Sequence, residues 1–414
     1  MTLRVLHFSD AHIDMVNYGR QDPSTGLPIR VLDFLKSLDT IVDTAINEKV
    51  DLVLFAGDAY KDRNPSPTFQ REWGKRIIQL SKAGIPTILL VGNHDISPAL
   101  GRANAIQEFQ TLEVPYVHVA SKPCLFTPEE LGIPVQVIAI PWVSRSEFIA
   151  ALDLTGKEAG EAYDSMEMRL SERVHEWLSE CNKEIPIILC AHASVQGAKY
   201  GSEQTVMLGA DVFLPGSLVK DPRLDYVALG HIHKAQDLND GYQPPVIYPG
   251  SIERVDFGEA KDEKYFVVAN ISKGNTTVEW YKLEHIRPFY DCLVTITAED
   301  QDITQQLEDS LPPLEKIKDA IIRLKIQFPR GVEAMIDEKA LRKYASEALS
   351  LQIVKQPILE TRVRIPTDQE VGEYTPFELL DLYWKTIDTD PGEKDILNDL
   401  AKEILHDDSS EEIE

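Results

Sequence analysis

Five short apolar runs, each followed at once by a cluster of polar residues, constrain the fold of this chain more than any other feature. The runs are rich in Val, Ile and Leu and have the length of buried β-strands. They cover residues 4–9, 51–56, 86–91, 185–191 and 226–229. Because strand-like and helix-like segments alternate as far as about residue 280, the pattern predicts a layered α/β domain.

The polar clusters consist of residue types that bind metal ions. They contain Asp10 and His12, Asp58, Asn93 and His94, His192, and His231 and His233. Side chains at the carboxyl ends of neighbouring strands converge in one crevice, so residues far apart in the sequence can meet there. A lone Asp-x-His is usually a turn or a satisfied polar pair, whereas five such clusters in order predict one metal centre.

The number and type of these residues fit a pair of divalent metals. Two metals held roughly 3.5 to 4 Å apart can activate a bridging water and stabilise both oxygens of a phosphoryl displacement. Asp58 is expected to bridge the pair. We assign Asp10, His12, Asp58 and His233 to one metal, and Asp58, Asn93, His192 and His231 to the other. This mixture of imidazole and carboxylate suits Mn, Fe or Zn better than Mg or Ca.

His94 follows a ligand directly but is not needed to complete either set. We therefore expect it to contact the scissile phosphate and to stabilise or protonate the departing oxygen. Asp95 comes after a tight Gly-Asn turn. Its position favours a helix cap over a hydrogen bond that orients His94.

The composition limits the partners of the chain. A net charge of −26 argues against binding nucleic acid through a generally positive surface. Residues 368–414 hold 16 acidic residues and three lysines, a net charge of −13, so the rest of the chain is less acidic than the average.

No leader-like start and no run near the roughly 18 apolar residues of a membrane span occur, so we expect a cytoplasmic protein that does not bind membranes. Since the sequence lacks a GxxxxGK[ST] phosphate loop, any ATP-driven step must come from another chain.

The last third of the chain has a different organisation. Residues 290–298 and 320–328 have the pattern of strands and 337–349 that of a helix, which predicts a small α+β domain. Two short amphipathic segments with capping boxes follow, and helices this short need a surface to dock on. Sequence physics leaves open whether that surface belongs to the same chain or to a partner. The predicted divisions are 1–287, 288–360, a linker at 361–374, a helical pair at 375–406 and a disordered acidic end at 407–414.

These motifs resemble those of the calcineurin-like metallophosphoesterases. The matching residues are Asp10-x-His12, Gly57-Asp58, Gly92-Asn93-His94-Asp95, His192 and Gly230-His231-x-His233. Residues 192–197 and 248–254, together with the small domain after residue 288, are similar to the SbcD-type DNA repair nucleases within that superfamily.

The resemblance implies a four-layer β-sandwich flanked by helices, with a small α+β domain that caps DNA and a C-terminal helical tail. It also implies a manganese-dependent DNA nuclease, with 3′ to 5′ exonuclease and single-strand endonuclease activity, that uses two Mn²⁺ ions and works as a homodimer. The implied protein partner is an SbcC-type coiled-coil ATPase, bound through the helices at 375–406.

The chain departs from the family pattern at two positions. Some members of the wider family have a histidine three residues after the bridging aspartate, where this chain has Lys61. A lysine there is expected to contact the substrate phosphate as a point charge. Asp14 stands where many members have glycine, and we do not expect it to be a metal ligand.

Two other functions compete with a DNA nuclease. A small-molecule phosphodiesterase or phosphatase of the same superfamily would use the same metal centre, although it would need neither a cap nor paired C-terminal helices. A non-catalytic scaffold would not need every metal ligand, and all seven candidate ligands are present. We therefore rank the scaffold last.

Overall fold

The structure is a computed structural model. It describes residues 2–96, 103–143, 159–201, 213–297, 302–329 and 331–358, and separate positions between 375 and 401.

The described chain alternates strands and helices up to residue 282. The strands are Leu3–Phe8 (β1), Leu52–Phe55 (β2), Thr87–Leu90 (β3), Val117–Ala120 (β4), Cys124–Phe126 (β5), Gln136–Ile140 (β6), Ile187–His192 (β7), Ser194–Val195 (β8), Phe213–Leu214 (β9), Tyr226–Gly230 (β10), Gln236–Asp237 (β11), Val246–Tyr248 (β12), Tyr265–Ser272 (β13) and Asn275–Lys282 (β14). The helices are Ile29–Asn47 (α1), Pro67–Lys82 (α2), Glu108–Thr111 (α3), Pro128–Leu131 (α4), Ala159–Glu180 (α5) and Gly216–Val219 (α6).

In the described part of the chain, these strands form two six-stranded sheets. The first has the order β14-β13-β1-β2-β3-β4, in which β1 to β4 are parallel, β13 is antiparallel to β1, and β14 is antiparallel to β13. The second has the order β11-β12-β10-β7-β6-β5, with four parallel central strands and an antiparallel strand at each edge. The short strands β8 and β9 pair separately.

The two sheets pack face to face between layers of helices. Residues such as Val5, Leu54 and Ile188 form an apolar core between the sheets. On the outer side of the first sheet, α1 and α2 bury Phe34 and Trp73. On the outer side of the second sheet, α5 contributes to another core. The expected four-layer α/β arrangement is therefore confirmed.

All five apolar runs form strands, and each strand ends within two residues of its predicted end. The carboxyl ends of β1, β2, β3, β7 and β10 bring the polar clusters to one edge of the sandwich, because these strands run parallel within their sheets.

The remaining strands are Phe289–Thr295 (β15), Ile321–Pro329 (β16) and Ser350–Ile358 (β17), which form a sheet in the order β15-β16-β17. The remaining helices are Ile303–Asp309 (α7), Leu314–Ile317 (α8) and Glu338–Tyr344 (α9). The expected pair of strands and helix are present, although α9 is shorter than predicted. β17 was missed because its residues are half-exposed or exposed and include Pro357, which obscures a strand pattern.

The chain divides into two compact units. One contains Met1–Asp291, Lys316–Ile322 and Glu347–Ser350, and the other contains Cys292–Glu315, Arg323–Ser346 and Leu351–Glu414. The domain boundaries expected from the sequence stay a prediction. The expected linker at 361–374 and acidic end at 407–414 lie outside the described residues.

Both C-terminal segments contain helical residues where the structure describes them, at 377, 379–380, 383–384, 392, 394 and 396–401. The indole N–H of Trp384 in the first segment donates to Oδ1 of Asn398 in the second, over 2.9 Å. Across the described residues, no helix is long and apolar enough to cross a membrane.

Candidate metal centre

The loops that follow the strands carry the polar clusters in an unusual backbone conformation. Asp10, His12, Asp58 and His231 have φ angles of 51°, 38°, 63° and 101°. Non-glycine residues rarely adopt this left-handed region. Hydrogen bonds between loops hold the conformation, since the N–H of Asp10 donates to the Gly57 carbonyl over 2.9 Å and the N–H of His12 to the Asp58 carbonyl over 3.2 Å. Such strain clusters at functional sites.

Glycines allow the clusters to approach each other closely. A Cβ atom at Gly57 would overlap the His192 imidazole, and one at Gly92 would overlap the Asp58 carboxylate. Glycine is therefore required at both positions, because any side chain would separate the groups that must converge.

The structure brings the first predicted ligand set together. Nε2 of His12 lies 3.1 Å from Nε2 of His233, and Nε2 of His233 lies 3.9 Å from Oδ1 of Asp10. The potential ligand atoms of these three residues all lie within 4.8 Å of one another.

Asp58 lies between this set and the second one. Its Oδ2 atom is 3.8 Å from Nε2 of His12 and 3.5 Å from Nε2 of His192. Oδ1 of Asn93 lies 3.0 Å from Nε2 of His192 and 3.2 Å from Nδ1 of His231. Asp10, Asp58 and His192 also form a group with ligand atoms within 4.8 Å, so Asp10 lies closer to the second set than the assignment expects.

Hydrogen bonds to the second ring nitrogen fix the tautomers of three histidines. Nδ1 of His12 faces the Tyr60 carbonyl at 3.2 Å, Nδ1 of His192 faces the Ala56 carbonyl at 2.6 Å, and Nδ1 of His233 faces the Glu259 carboxylate at 2.7 Å. These oxygens only accept, so each Nδ1 carries a proton. In the neutral rings, Nε2 then carries a lone pair.

These lone pairs converge on one another and on carboxylate or amide oxygens. The Nε2 atoms of His12 and His233 face each other, and Nε2 of His192 faces oxygens of Asp58 and Asn93. Acceptors that face acceptors repel one another unless a cation lies between them. Nitrogen and oxygen donors in this arrangement fit divalent transition metals, as the sequence predicts.

The electrostatics of the site also favour positive charge beside Asp58. Burial opposes ionisation of Asp58, but the positive charges of His192 and His94 hold the pKa of its carboxyl well below the usual range. Burial likewise disfavours the His192 imidazolium, yet the Asp58 carboxylate raises the pKa of His192 to about 9. By contrast, burial lowers the pKa of His12.

Glu259 is a buried residue of the site that sequence reasoning missed. Besides accepting from His233, its carboxylate accepts from Nζ of Lys264 over 2.6 Å and from Oγ of Ser251 over 3.0 Å. Burial opposes ionisation of Glu259, but the Lys264 ammonium lowers the pKa of the carboxyl. Such a partner orients a ligating imidazole and raises its basicity. No local signal could have identified it, because Glu259 ends a three-residue 3-10 helix, Phe257–Glu259, which is too short to show a periodic pattern.

Asp95 contacts the backbone of two loops, whereas residues 97–102, where the expected helix would follow, lie outside the described residues. Its carboxylate accepts from the backbone N–H groups of Asp58, Ala59 and Gly92 over 2.9 to 3.0 Å. It thus binds the loop that carries Asp58 to the loop that carries Asn93. The sequence could not show this, because two of these backbone amides lie nearly 40 residues away.

His94 and Lys61 lie at the edge of the site. The N–H of His94 donates to Oδ1 of Asp58 over 2.9 Å, and its ring centroid is 5.2 Å from that of His12. A cleft of about 610 Å³ begins at His94 and is lined by Lys61 and Arg63 among others. Within the described residues, the side-chain cations of Lys61 and Arg63 have no partner.

Trp142 is a second residue that sequence reasoning missed. Its ring lies 5.0 Å from the His231 ring and 6.2 Å from the His192 ring, between centroids. It follows β6 after one proline. Its position just after the end of a strand, which the five polar clusters share, is the sequence signal that could have identified it. Trp142 packs against one side of the second ligand set and restricts both imidazoles.

Comparisons with known proteins agree with this geometry. A family model described as calcineurin-like phosphoesterase matches residues 3–235. The chain is 26% identical over 317 residues to the SbcD component of the nuclease SbcCD of Escherichia coli K12, covering 74% of each chain. It is 26% identical over 322 residues to the uncharacterized metallophosphoesterase YhaO of Bacillus subtilis, covering 76% of this chain and 69% of that one. It is 23% identical over 388 residues to the DNA double-strand break repair protein Mre11 of Archaeoglobus fulgidus, covering 91% of this chain and 79% of that one.

Proposed function

Since this chain belongs to the calcineurin-like phosphoesterase family and is a metal-dependent phosphodiester hydrolase, we propose that its substrate is DNA and that it is the nuclease subunit of an SbcCD-like repair complex. The family resemblance that the motifs indicated is confirmed by the match over residues 3–235. The proposal includes 3′ to 5′ exonuclease and single-strand endonuclease activity.

One observation supports the catalytic part of this proposal: seven buried or half-buried residues direct nitrogen and oxygen donors at the same site. Asp10, His12, Asp58 and His233 would hold one metal, and Asp58, Asn93, His192 and His231 the other. Two bound ions, for which we propose Mn²⁺, would polarise the phosphoryl oxygens and lower the pKa of water.

His94 supplies the proton chemistry of the proposed reaction. Its Nδ1 lies 2.9 Å from the Lys61 carbonyl, an acceptor, so Nε2 is the nitrogen left for the substrate. His94 lies at the end of the cleft. When its ring is protonated on both nitrogens, it donates the Nε2 proton to the departing oxygen of the cleaved ester and is left neutral. The Lys61 ammonium would bind a neighbouring phosphate as a point charge. The planar Arg63 guanidinium would bind another through two parallel hydrogen bonds.

The C-terminal segments support a protein partner. Their described apolar side chains include Phe377, Tyr383, Ile396 and Leu400, all of which are exposed. Exposed apolar residues at helical spacing are typical of a helix that docks in a partner's groove. We propose that they bind an SbcC-type coiled-coil ATPase and that the nuclease works as a homodimer. The expected cytoplasmic location stays a prediction.

End-labelled single-stranded and double-stranded DNA, incubated with the purified chain and Mn²⁺, tests the substrate. We expect cleavage that EDTA abolishes and that His94→Ala reduces by about 10²- to 10⁴-fold, the usual contribution of a general acid. Turnover of a small phosphodiester without any cleavage of DNA would contradict the proposal and favour a small-molecule phosphodiesterase.

A further inference from the structure

The backbone of Lys61, rather than its side chain, contacts His94. The carbonyl of Lys61 accepts from Nδ1 of His94 over 2.9 Å. A carbonyl is only an acceptor, so this bond requires a proton on Nδ1 and fixes both the tautomer and the plane of the ring. The position of one peptide group therefore controls how His94 faces the cleft.

That peptide group is held by Asp14. One carboxylate oxygen of Asp14 accepts from the N–H of Lys61 over 2.5 Å, and the other accepts from the N–H of Asp62 over 2.9 Å. The residue is only 8% exposed. Hydrogen bonds that a carboxylate accepts from two successive amides are charge-assisted. The two bonds together fix the orientation of the loop at Lys61 and Asp62.

Asp14 itself has a fixed position. The adjacent Ile13 and Met15 are buried in the core beneath α1 and α2, and the N–H of Ile13 donates to the Ala59 carbonyl over 3.1 Å. The clamp is thus built on a rigid segment, and both of its oxygens are used by the loop. Within the described residues, Asp14 belongs to none of the groups that could hold a metal.

We propose that Asp14 is a positioning residue for the hydrolysis: it holds the Lys61 peptide so that the Lys61 carbonyl orients His94 toward the departing oxygen. This inference rests on the proposed function, because it assigns His94 a role in leaving-group departure. A displacement of about 1 Å in such a group costs on the order of 10²-fold in rate. Asp14 also lines the cleft, and its proposed effect on catalysis is exerted through His94 rather than as a metal ligand.

The test compares substrates that differ in their need for a proton. Departure of a DNA alkoxide requires protonation, whereas bis(p-nitrophenyl) phosphate releases a stable phenolate. With Mn²⁺, we expect Asp14→Ala to lower kcat on single-stranded DNA by about 10- to 100-fold, with KM and Mn²⁺ affinity within about twofold of wild type. Its kcat on bis(p-nitrophenyl) phosphate should stay within about twofold.

Two further variants separate positioning from loss of structure. Asp14→Asn keeps the shape of the side chain and one acceptor oxygen, so it serves as the test variant if Asp14→Ala folds poorly. Its loss of activity on DNA should be smaller than that of Asp14→Ala. Asp22 provides a matched control, because its carboxylate also accepts from two loop amides, those of Ser24 and Thr25, over 3.0 and 2.8 Å. Asp22→Ala should leave both substrates unaffected.

A double-mutant cycle with His94→Ala decides the inference. If Asp14 acts through His94, Asp14→Ala should cause no further loss on DNA in the His94→Ala background. Equal losses in both backgrounds, or equal losses on both substrates, would overturn the positioning role. An undiminished rate on DNA for His94→Ala alone would instead contradict the proposed role of His94, so the two failures are distinguishable.

Discussion

At the scale of single residues, strain and close approach mark the chemistry. Four polar residues of the centre, Asp10, His12, Asp58 and His231, hold left-handed backbone conformations, each of which costs of the order of 1–3 kcal/mol. Loop-to-loop hydrogen bonds, including those that the Asp95 carboxylate accepts, maintain them. The motifs predicted which side chains meet, because each follows a strand directly. They could not predict that Glu259 would contact His233, 26 residues away, or that Asp95 would bind the backbone of Asp58, 37 residues away.

Glu259 gives a prediction about metal affinity. We expect Glu259→Gln to weaken Mn²⁺ binding by roughly 10- to 100-fold, because His233 loses the carboxylate that orients it. Isothermal titration with Mn²⁺ measures this. Glu263→Gln is a matched control, since Glu263 is an exposed carboxylate bound to Lys282.

The same substitution leaves the buried Lys264 ammonium without its carboxylate, which destabilises the fold. The double variant Glu259→Gln/Lys264→Met removes both charges and should show the same weakening. Wild-type affinity in this double variant would contradict the orienting role of Glu259.

At the scale of elements, the sandwich depends on strands that approach without side chains between them. Gly230, at the end of β10, lies so close to the Ala56 carbonyl that a Cβ atom would overlap it. We expect Gly230→Ala to lower the free energy of unfolding by about 1–3 kcal/mol. Gly74, inside α2, has open space around it, and Gly74→Ala should raise the free energy of unfolding by roughly 0.5–1 kcal/mol. Urea unfolding measures both changes. An unchanged or raised free energy of unfolding for Gly230→Ala would contradict this description of the strand ends.

The interior between the sheets also predicts a pH dependence. His7 in β1 is fully buried beside the Tyr226 hydroxyl, 3.0 Å from its Nδ1, and burial lowers the pKa of His7 from 6.5 to about 3. The folded state therefore binds the proton less readily than the unfolded state. This contribution to stability is present above about pH 6.5 and is lost as the pH falls toward 3.

His7→Gln removes this titration. Between pH 7 and pH 5, the wild type should lose about 2 kcal/mol more of its unfolding free energy than the variant, given 1.36 kcal/mol per pKa unit. Urea unfolding in EDTA at the two pH values measures the difference. Parallel losses in the two proteins would show that His7 is not buried in the neutral form.

The strands that carry the site were predictable, whereas β17 was not. The five strands that carry the site are buried along almost their whole length and are rich in Val, Ile and Leu. β17 is half-exposed or exposed along its length, so tertiary pairing rather than local pattern determines it.

At the scale of the whole molecule, the C-terminal helical residues predict a separable partner function. Ile396 and Leu400 are 64% and 50% exposed. We expect Ile396→Asp/Leu400→Asp to abolish binding to a purified SbcC-type ATPase, because a charge would be buried in the interface. Hydrolysis of bis(p-nitrophenyl) phosphate should not change.

Met335→Asp is the control, since Met335 is an apolar residue of similar exposure, 57%, outside these segments. Co-purification of the two proteins measures binding. Full binding by the Ile396/Leu400 variant, or equal loss in Met335→Asp, would contradict a role for this surface.

We propose that seven side chains from five loops hold two metals. Anomalous diffraction from crystals soaked in Mn²⁺ tests it most directly. We predict two peaks, one beside Asp10, His12 and His233 and one beside Asn93, His192 and His231, with Asp58 between them. A single peak, or two peaks elsewhere in the molecule, would contradict a two-metal centre at these loops.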